Sequence, residues 1–186
     1  MSGAVCAADQ VDLLQNVANM LDNNSITTGQ FTQVATVAAL SAPLRSGGSF
    51  YFDQSRGISW HVERPITAQF QFFPTPTGTA AAPPEQSAMG WIGQLLNAVL
   101  AGDLSGLTRM FKIDGSVAAD RWTLALVPKA PALRRVLVRI DIDGAGAVQR
   151  IKLQEANGDD VTITFSDIRH PDSLPADVQR EIDEKR

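Results

Sequence analysis

The strongest constraint on this chain is a run of three short segments in which large apolar side chains take every second position. Phe50 and Phe52 alternate with Tyr51 and Asp53. Ile58, Trp60 and Val62 alternate with Ser59, His61 and Glu63, and Ile66, Ala68, Phe70 and Phe72 alternate with Thr67, Gln69 and Gln71. A period of two marks a strand with one buried face. Gly57 and Pro65 stand at the junctions, where turn residues belong. Three consecutive strands, each oily on one side and wet on the other, predict an antiparallel meander.

The second half of the chain repeats the pattern. Phe111 to Val117 opens it, followed by Trp122, Leu124 and Leu126 alternating with Thr123 and Ala125. Val136, Val138, Ile140 and Ile142 then alternate with Leu137, Arg139 and Asp141; Ile151 and Leu153 with Lys152 and Gln154; and Val161, Ile163 and Phe165 with Thr162 and Thr164. Asp143-Gly144 and Asn157-Gly158 predict hairpin turns. Gly29 to Ala39, rich in Thr and Val, adds an earlier strand.

Helical spacing occurs in two longer stretches. Asp9 to Leu21 places Val11, Leu14, Val17, Ala18 and Leu21 on one side, with Asp9 able to cap the first turn. Ser87 to Leu100 carries Met89, Trp91, Ile92, Leu95, Leu96 and Val99 as its apolar residues. Leu104 to Met110 predicts a shorter helical turn. Between the meander and the second helix, Phe73 to Gly90 holds four prolines around Ala80-Ala81-Ala82 and predicts a loop, with a short strand near Gly78 to Ala81. The charged end, Pro175 to Arg186, predicts a loosely attached helix.

One sheet of about ten strands with a single oily face must be covered, and a sheet that wide tends to curl. The two long helices are the available covers. The fold class is therefore α+β: an unclosed antiparallel β-barrel, or half-barrel, with a helical lid over an apolar concave face. Phe50, Phe52, Trp60, Val62, Phe70, Phe72, Trp122, Leu124, Val138 and Ile140 are the expected lining of that face. Met89, Trp91, Ile92, Leu95, Leu96 and Val99 are the expected underside of the lid. The alternation fits both a filled core and a pocket for an apolar ligand.

At 186 residues the chain has the length of one domain. A net charge of -4 argues against nucleic acid, which selects basic surfaces. The apolar runs fall short of the roughly 20 residues that a membrane helix needs. Cys6 is the single cysteine, so an internal disulfide is not expected. Ala4-Val5-Cys6-Ala7-Ala8 resembles the end of a cleaved signal peptide, which places the mature start near Ala8. The expected division is 1–8 as a signal-peptide remnant or disordered start, 9–170 as the domain, and 171–186 as a charged tail.

Catalytic chemistry finds little support. His61 alternates outward on its strand, and His170 precedes Pro171 in a loop; neither has a neighbouring nucleophile or metal-ligand spacing. Asp141-x-Asp143-Gly144 lacks the further ligands of a calcium loop. Arg134, Arg135 and Arg139, with Arg150 and Lys152, read as a solvated outer face or as a docking patch. The expectation is a protein that is not an enzyme and needs no cofactor or metal.

Several stretches together resemble the LolA family of periplasmic lipoprotein carriers. Phe31-Thr32-Gln33 is similar to the family's early Phe-x-Gln. Gly48 to Phe52, then Gly57-Ile58-Ser59-Trp60 and Arg64-Pro65, resembles its G-x-F, W, P stretch. Asp103-Leu104 through Phe111, Trp122-Thr123-Leu124 and Pro128 resembles its later helix and strand. Glu155 to Phe165, with Gly158-Asp159, is similar to its G-D-x-T-x-I-x-F hairpin. The likeness spans about residues 9 to 170, and the order of these stretches carries it. Two departures mark a divergent branch. The arginine that latches the lid in the family falls near Gln54 here, leaving Arg56 as the candidate latch, and the Phe73–Gly90 segment replaces an Asp-Gly, Trp-x-Tyr strand pair.

The resemblance implies a periplasmic carrier, expected to be a monomer, that takes the acyl chains of a lipoprotein or lipid into the concave face and moves them towards the outer membrane. It further implies an inner-membrane donor transporter and an outer-membrane acceptor as partners. The alternative expectation is a lipid- or stress-sensing regulatory domain on the same fold.

Overall fold

The computed structural model describes residues 7–22, 24–74, 88–102, 104 and 106–184. The chain opens with helix α1 (Ala7–Met20), followed by strands β1 (Ile26–Thr36), β2 (Leu44–Asp53), β3 (Gly57–Arg64) and β4 (Ala68–Phe72). Helix α2 (Ala88–Leu100) and the short α3 (Leu107–Met110) lead into β5 (Phe111–Ala118) and β6 (Arg121–Pro128). A turn of helix, α4 (Pro131–Arg134), precedes β7 (Leu137–Ala145), β8 (Ala147–Glu155) and β9 (Asp160–Arg169), and α5 (Ala176–Glu184) ends the chain.

All nine strands form one sheet in the order β4-β3-β2-β1-β9-β8-β7-β6-β5. Every pairing is antiparallel. The topology is two meanders joined where β1 pairs with β9, from Thr28 opposite Arg169 to Thr36 opposite Asp160. Strands β4 and β5 are the edges, so the barrel is unclosed. The expected count of about ten strands becomes nine among the described residues; the strand expected near Gly78 to Ala81 lies outside them, as do Cys6 and the N-terminal segment before Ala7.

The alternation read from the sequence divides β2, β3, β6, β8 and β9 as expected, whereas Ile66, expected on the oily face, precedes β4 and is 77% exposed. Phe50, Phe52, Ile58 and Trp60 are 1% exposed or less, and so are Trp122, Leu124, Leu126, Ile140, Ile142, Ile151 and Ile163. Together with Leu14, Val17 and Leu21 of α1 and Leu95, Leu96 and Val99 of α2 they form one core. Helix α2 touches the neighbouring strands β3 and β4 and also β8, from which β2, β1 and β9 separate them in the sheet, and α1 touches β5. One helix can reach both walls because the sheet curls around it.

Two expectations about β7 and its turn need correction. The pairing of β7 with β8 slips between Leu137 and Arg139. This bulge reverses the alternation at its start: Leu137 is buried and Val138 is 51% exposed, so Val138 does not line the concave face. The Asp143-Gly144 pair is not the hairpin turn either. Strand β7 continues to Ala145, and the reversal falls at Gly146, whose φ of +68° favours glycine.

The C-terminal segment also differs from its sequence reading. Leu174, Val178 and Ile182 are 3% exposed or less and pack with Ile26 and Tyr51, which project from the outer face. Helix α5 is thus docked on the convex side of β1–β4, opposite the core.

Candidate functional site

The candidate site is the concave face and the helix that crosses it. On β2 and β3, Phe50 lies opposite Trp60 and Phe52 opposite Ile58. Residues opposite each other share a face, and β4 extends the same face by placing Phe70 against Trp60 and Phe72 against Ile58. Phe31 stacks on Trp60 at 3.8 Å between ring centroids, while Phe165 stands edge-on to both Phe50 and Trp60. This aromatic wall faces an aliphatic one. There the register runs Leu124–Ile142–Ile151–Ile163 and, one inward step along the strands, Leu126–Ile140–Leu153–Val161.

The expected lining residues fall into three groups. Phe50, Phe52, Trp60, Trp122, Leu124 and Ile140 are buried together in the core. Val62 and Phe72 are half-buried against it, and Phe70 is 38% exposed on the edge strand although it shares their face. Val138 lies outside, as described above. The sequence-based list omitted Phe31, Ile113, Ile142, Ile151, Ile163 and Phe165, which belong to the same core; their own alternation was the signal that could have included them.

Of the lid residues, Leu95, Leu96 and Val99 are buried in the core. Met89, Trp91 and Ile92 are on α2, but their side chains lie outside the described residues. The footing of α2 is Gly93, whose missing side chain leaves room for the Phe72 ring. Asn97 Nδ2 donates to the carbonyl of Phe72 at 3.4 Å and to that of Gly93 at 3.1 Å.

Arg56 does not sit at the lid. Its guanidinium pairs with Asp183 of α5 at 3.1 Å and with Asp53 at 3.7 Å. The outer face beneath α5 is polar but well bonded. Glu181 accepts from Gln71 Nε2 at 2.6 Å and from Ser59 Oγ at 3.1 Å, and its other oxygen is 3.1 Å from His61 Nε2. His61 is therefore partly covered rather than a free surface residue. His170 meets Thr27 Oγ1 at 3.2 Å and stands 3.8 Å from Asp22.

The basic cluster is largely neutralised. Arg139 pairs with Asp141 at 2.7 Å, Arg150 with Asp143 at 2.8 Å and Lys152 with Asp160 at 3.3 Å, while Arg134 donates to the carbonyls of Pro128 and Lys129. Both carboxylates of the Asp-x-Asp sequence are thereby engaged by arginine. A shallow groove of about 410 Å³ crosses the strands here, bordered by Lys112, Asp114, Thr123, Arg139 and Asp141. Among the described residues no group of three or more His, Cys, Asp or Glu side chains could hold a metal ion. Among them, too, no helix is long and apolar enough to cross a membrane.

No protein-family model matches the sequence, and no curated protein does. Among solved structures, the fold is similar to a LolA superfamily protein from Nitrosomonas europaea, at 9% identity and a TM-score of 0.46, over 90% of this chain and 96% of that one. It is similar to a domain named for outer-membrane lipoprotein sorting from Vibrio parahaemolyticus, at 9% identity and a TM-score of 0.43, over 95% of this chain and 98% of that one. It is also similar to the MucA/MucB complex of Pseudomonas aeruginosa, at 14% identity and a TM-score of 0.45, over 92% of this chain and 60% of that one.

Proposed function

We propose that the protein is a periplasmic carrier that shields acyl chains of a lipoprotein or lipid between the concave face and α2, and delivers them towards the outer membrane. The observation that carries this reading is the continuous apolar inner face of an unclosed sheet whose cover is a separate helix. Lifting α2 breaks none of the strand pairings. The sequence resemblance to the LolA family supports the choice of acyl cargo, and with it an inner-membrane donor and an outer-membrane acceptor.

The energetics suit such a role. Burying an acyl chain gains roughly 0.8 kcal/mol per methylene, so a chain of about 15 methylenes gains on the order of 12 kcal/mol gross. Part of that gain is offset because Leu95, Leu96 and Val99 must leave their own apolar contacts. A carrier needs this offset, since the full gain would hold the cargo too tightly to pass on.

The test is direct. Protein recovered gently from its native periplasm is expected to carry lipid by native mass spectrometry, and a fluorescent fatty-acid probe is expected to bind the stripped protein. Bare protein together with no probe binding would overturn the reading. A second reading, a regulatory domain that senses an acyl ligand, draws on the convex face, where the charged groove offers a partner surface. Co-purification with a signalling protein in place of a transporter would favour it.

A further inference from the structure

Among the described residues the buried side-chain polar atoms are hydrogen-bonded with two exceptions, which are two of a kind. Among the described residues, Trp60 Nε1 and Trp122 Nε1 are the buried side-chain nitrogen or oxygen atoms without a hydrogen bond. Trp60 is 0% and Trp122 1% exposed. By contrast Ser59 and Ser49, which are also buried, are bonded to Glu181 and Glu63 respectively. An indole N–H can only donate, and leaving it dry forfeits its bond to water with nothing in return.

Their placement is related. Trp60 is on β3 and Trp122 on β6, each the strand next to an edge of the sheet. The register carries Trp60 through Phe50 to Gly29 on β1, and Trp122 through Gly144 to Val148 on β8. Strand β9 joins the two sides, with Ser166 opposite Gln30 and Thr164 opposite Arg150. Both tryptophans therefore belong to the inner face, on opposite sides of the β1–β9 junction. Beyond Trp122, the next two inner-face rows begin with Leu124 and Leu126 and are wholly aliphatic on β6–β9.

We infer that the concave face accepts acyl chains by their carbonyl end as well as by their hydrocarbon, with the indole N–H groups of Trp60 and Trp122 donating to ester or amide carbonyl oxygens. This rests on the carrier reading above and narrows it. A bare hydrocarbon would leave both donors as unmet as the closed core does. A chain joined through a carbonyl satisfies a donor and leaves its methylenes for the aliphatic rows.

The experiment compares dioctanoylglycerol, its dioctyl ether and the matched two-chain diamide, 2,3-bis(octanoylamino)propan-1-ol, by calorimetry on the whole protein. The ether keeps the chains and loses the carbonyls. The expected result is that the ester binds about fivefold to tenfold more tightly than the ether, the factor that one hydrogen bond supplies. Replacing Trp60 or Trp122 by benzothienylalanine keeps the fused ring and removes the N–H; the ester preference is expected to shrink in each. Stronger binding of the amide than of the ester points to an N-acyl source, and the reverse to an O-acyl source. Equal binding of ester and ether would overturn the inference and leave the carrier reading standing, and binding of none of the three would remove both. The ester-to-ether ratio on the unaltered protein needs no variant to fold.

Discussion

Gly93 of α2 rests on the ring of Phe72 so closely that a methyl group on its Cα would lie 2.1 Å from Phe72 Cδ1. The lid and the edge strand β4 thus meet through an absence of side chain. Gly93→Val forces either the ring or the helix to move, at a cost of about 1–3 kcal/mol typical of overpacking. Faster amide exchange along α2, with β6–β9 unchanged, is the expected outcome. Unchanged exchange in α2 would mean that Phe72 yields instead.

Trp60 packs among Phe31, Phe50 and Phe165 with no solvent exposure. Trp60→Ala is expected to cost about 3–5 kcal/mol by urea denaturation, as for other large aromatic truncations in a core. A loss under 1 kcal/mol on the order-of-magnitude scale of surface changes would show that the wall is loosely packed.

The bulge in β7 separates two neighbours. Leu137→Ala is expected to cost about 2–5 kcal/mol, whereas Val138→Thr should stay within about 0.5 kcal/mol. Equal losses would restore the uninterrupted alternation and remove the bulge.

Arg56 bridges the convex face to α5 through Asp183, which is half exposed. Arg56→Ala is expected to cost less than about 1 kcal/mol, as exposed ion pairs do, and to speed exchange in α5. Ile182→Ala, which empties the apolar contact beneath α5, should cost about 2–4 kcal/mol. If Arg56→Ala instead loosened α2, the arginine would be a lid latch after all.

Glu155, at the end of β8, holds its proton to higher pH than an ordinary glutamate, because burial disfavours its charge and Asp159 repels it, with a hydrogen bond from Asn157 opposing both. A raised folded-state value means that its contribution to stability is full below the ordinary carboxylate range and is lost as pH rises through the folded value. Glu155→Gln should therefore stabilise the protein at neutral pH and have little effect in acid. Chemical denaturation of both forms at the two pH values checks the sign.

Much of the sheet was legible because its chemistry is local. Every second residue from Phe50 to Phe72 and from Trp122 to Phe165 had to choose a face, and the hydrophobic choice exposes the strand. Val138 escaped because a bulge is a property of two strands in register, which one strand's sequence does not display. The docking of α5 uses Leu174, Val178 and Ile182, spaced by four, but the charges around so narrow a stripe are equally compatible with an exposed helix. The destination of Arg56 depends on Asp183, far along the chain. The unmet N–H groups of Trp60 and Trp122 could not be read from sequence at all, since tryptophan in a strand gives no sign of whether its nitrogen will find an acceptor.

The separation of β4 from β5 has a mechanical meaning. In a closed barrel, strand number and stagger fix the circumference, so its bore has one width. Among the described residues no ladder ties the two margins, so strand pairing does not fix the curl of the sheet. For the proposed acyl cargo, the gauge of the trough would then follow the occupant, a thin one drawing the walls together and a bulky one spreading them. The protein would behave as a spring clip, gripping contents of different girth with the same set of side chains.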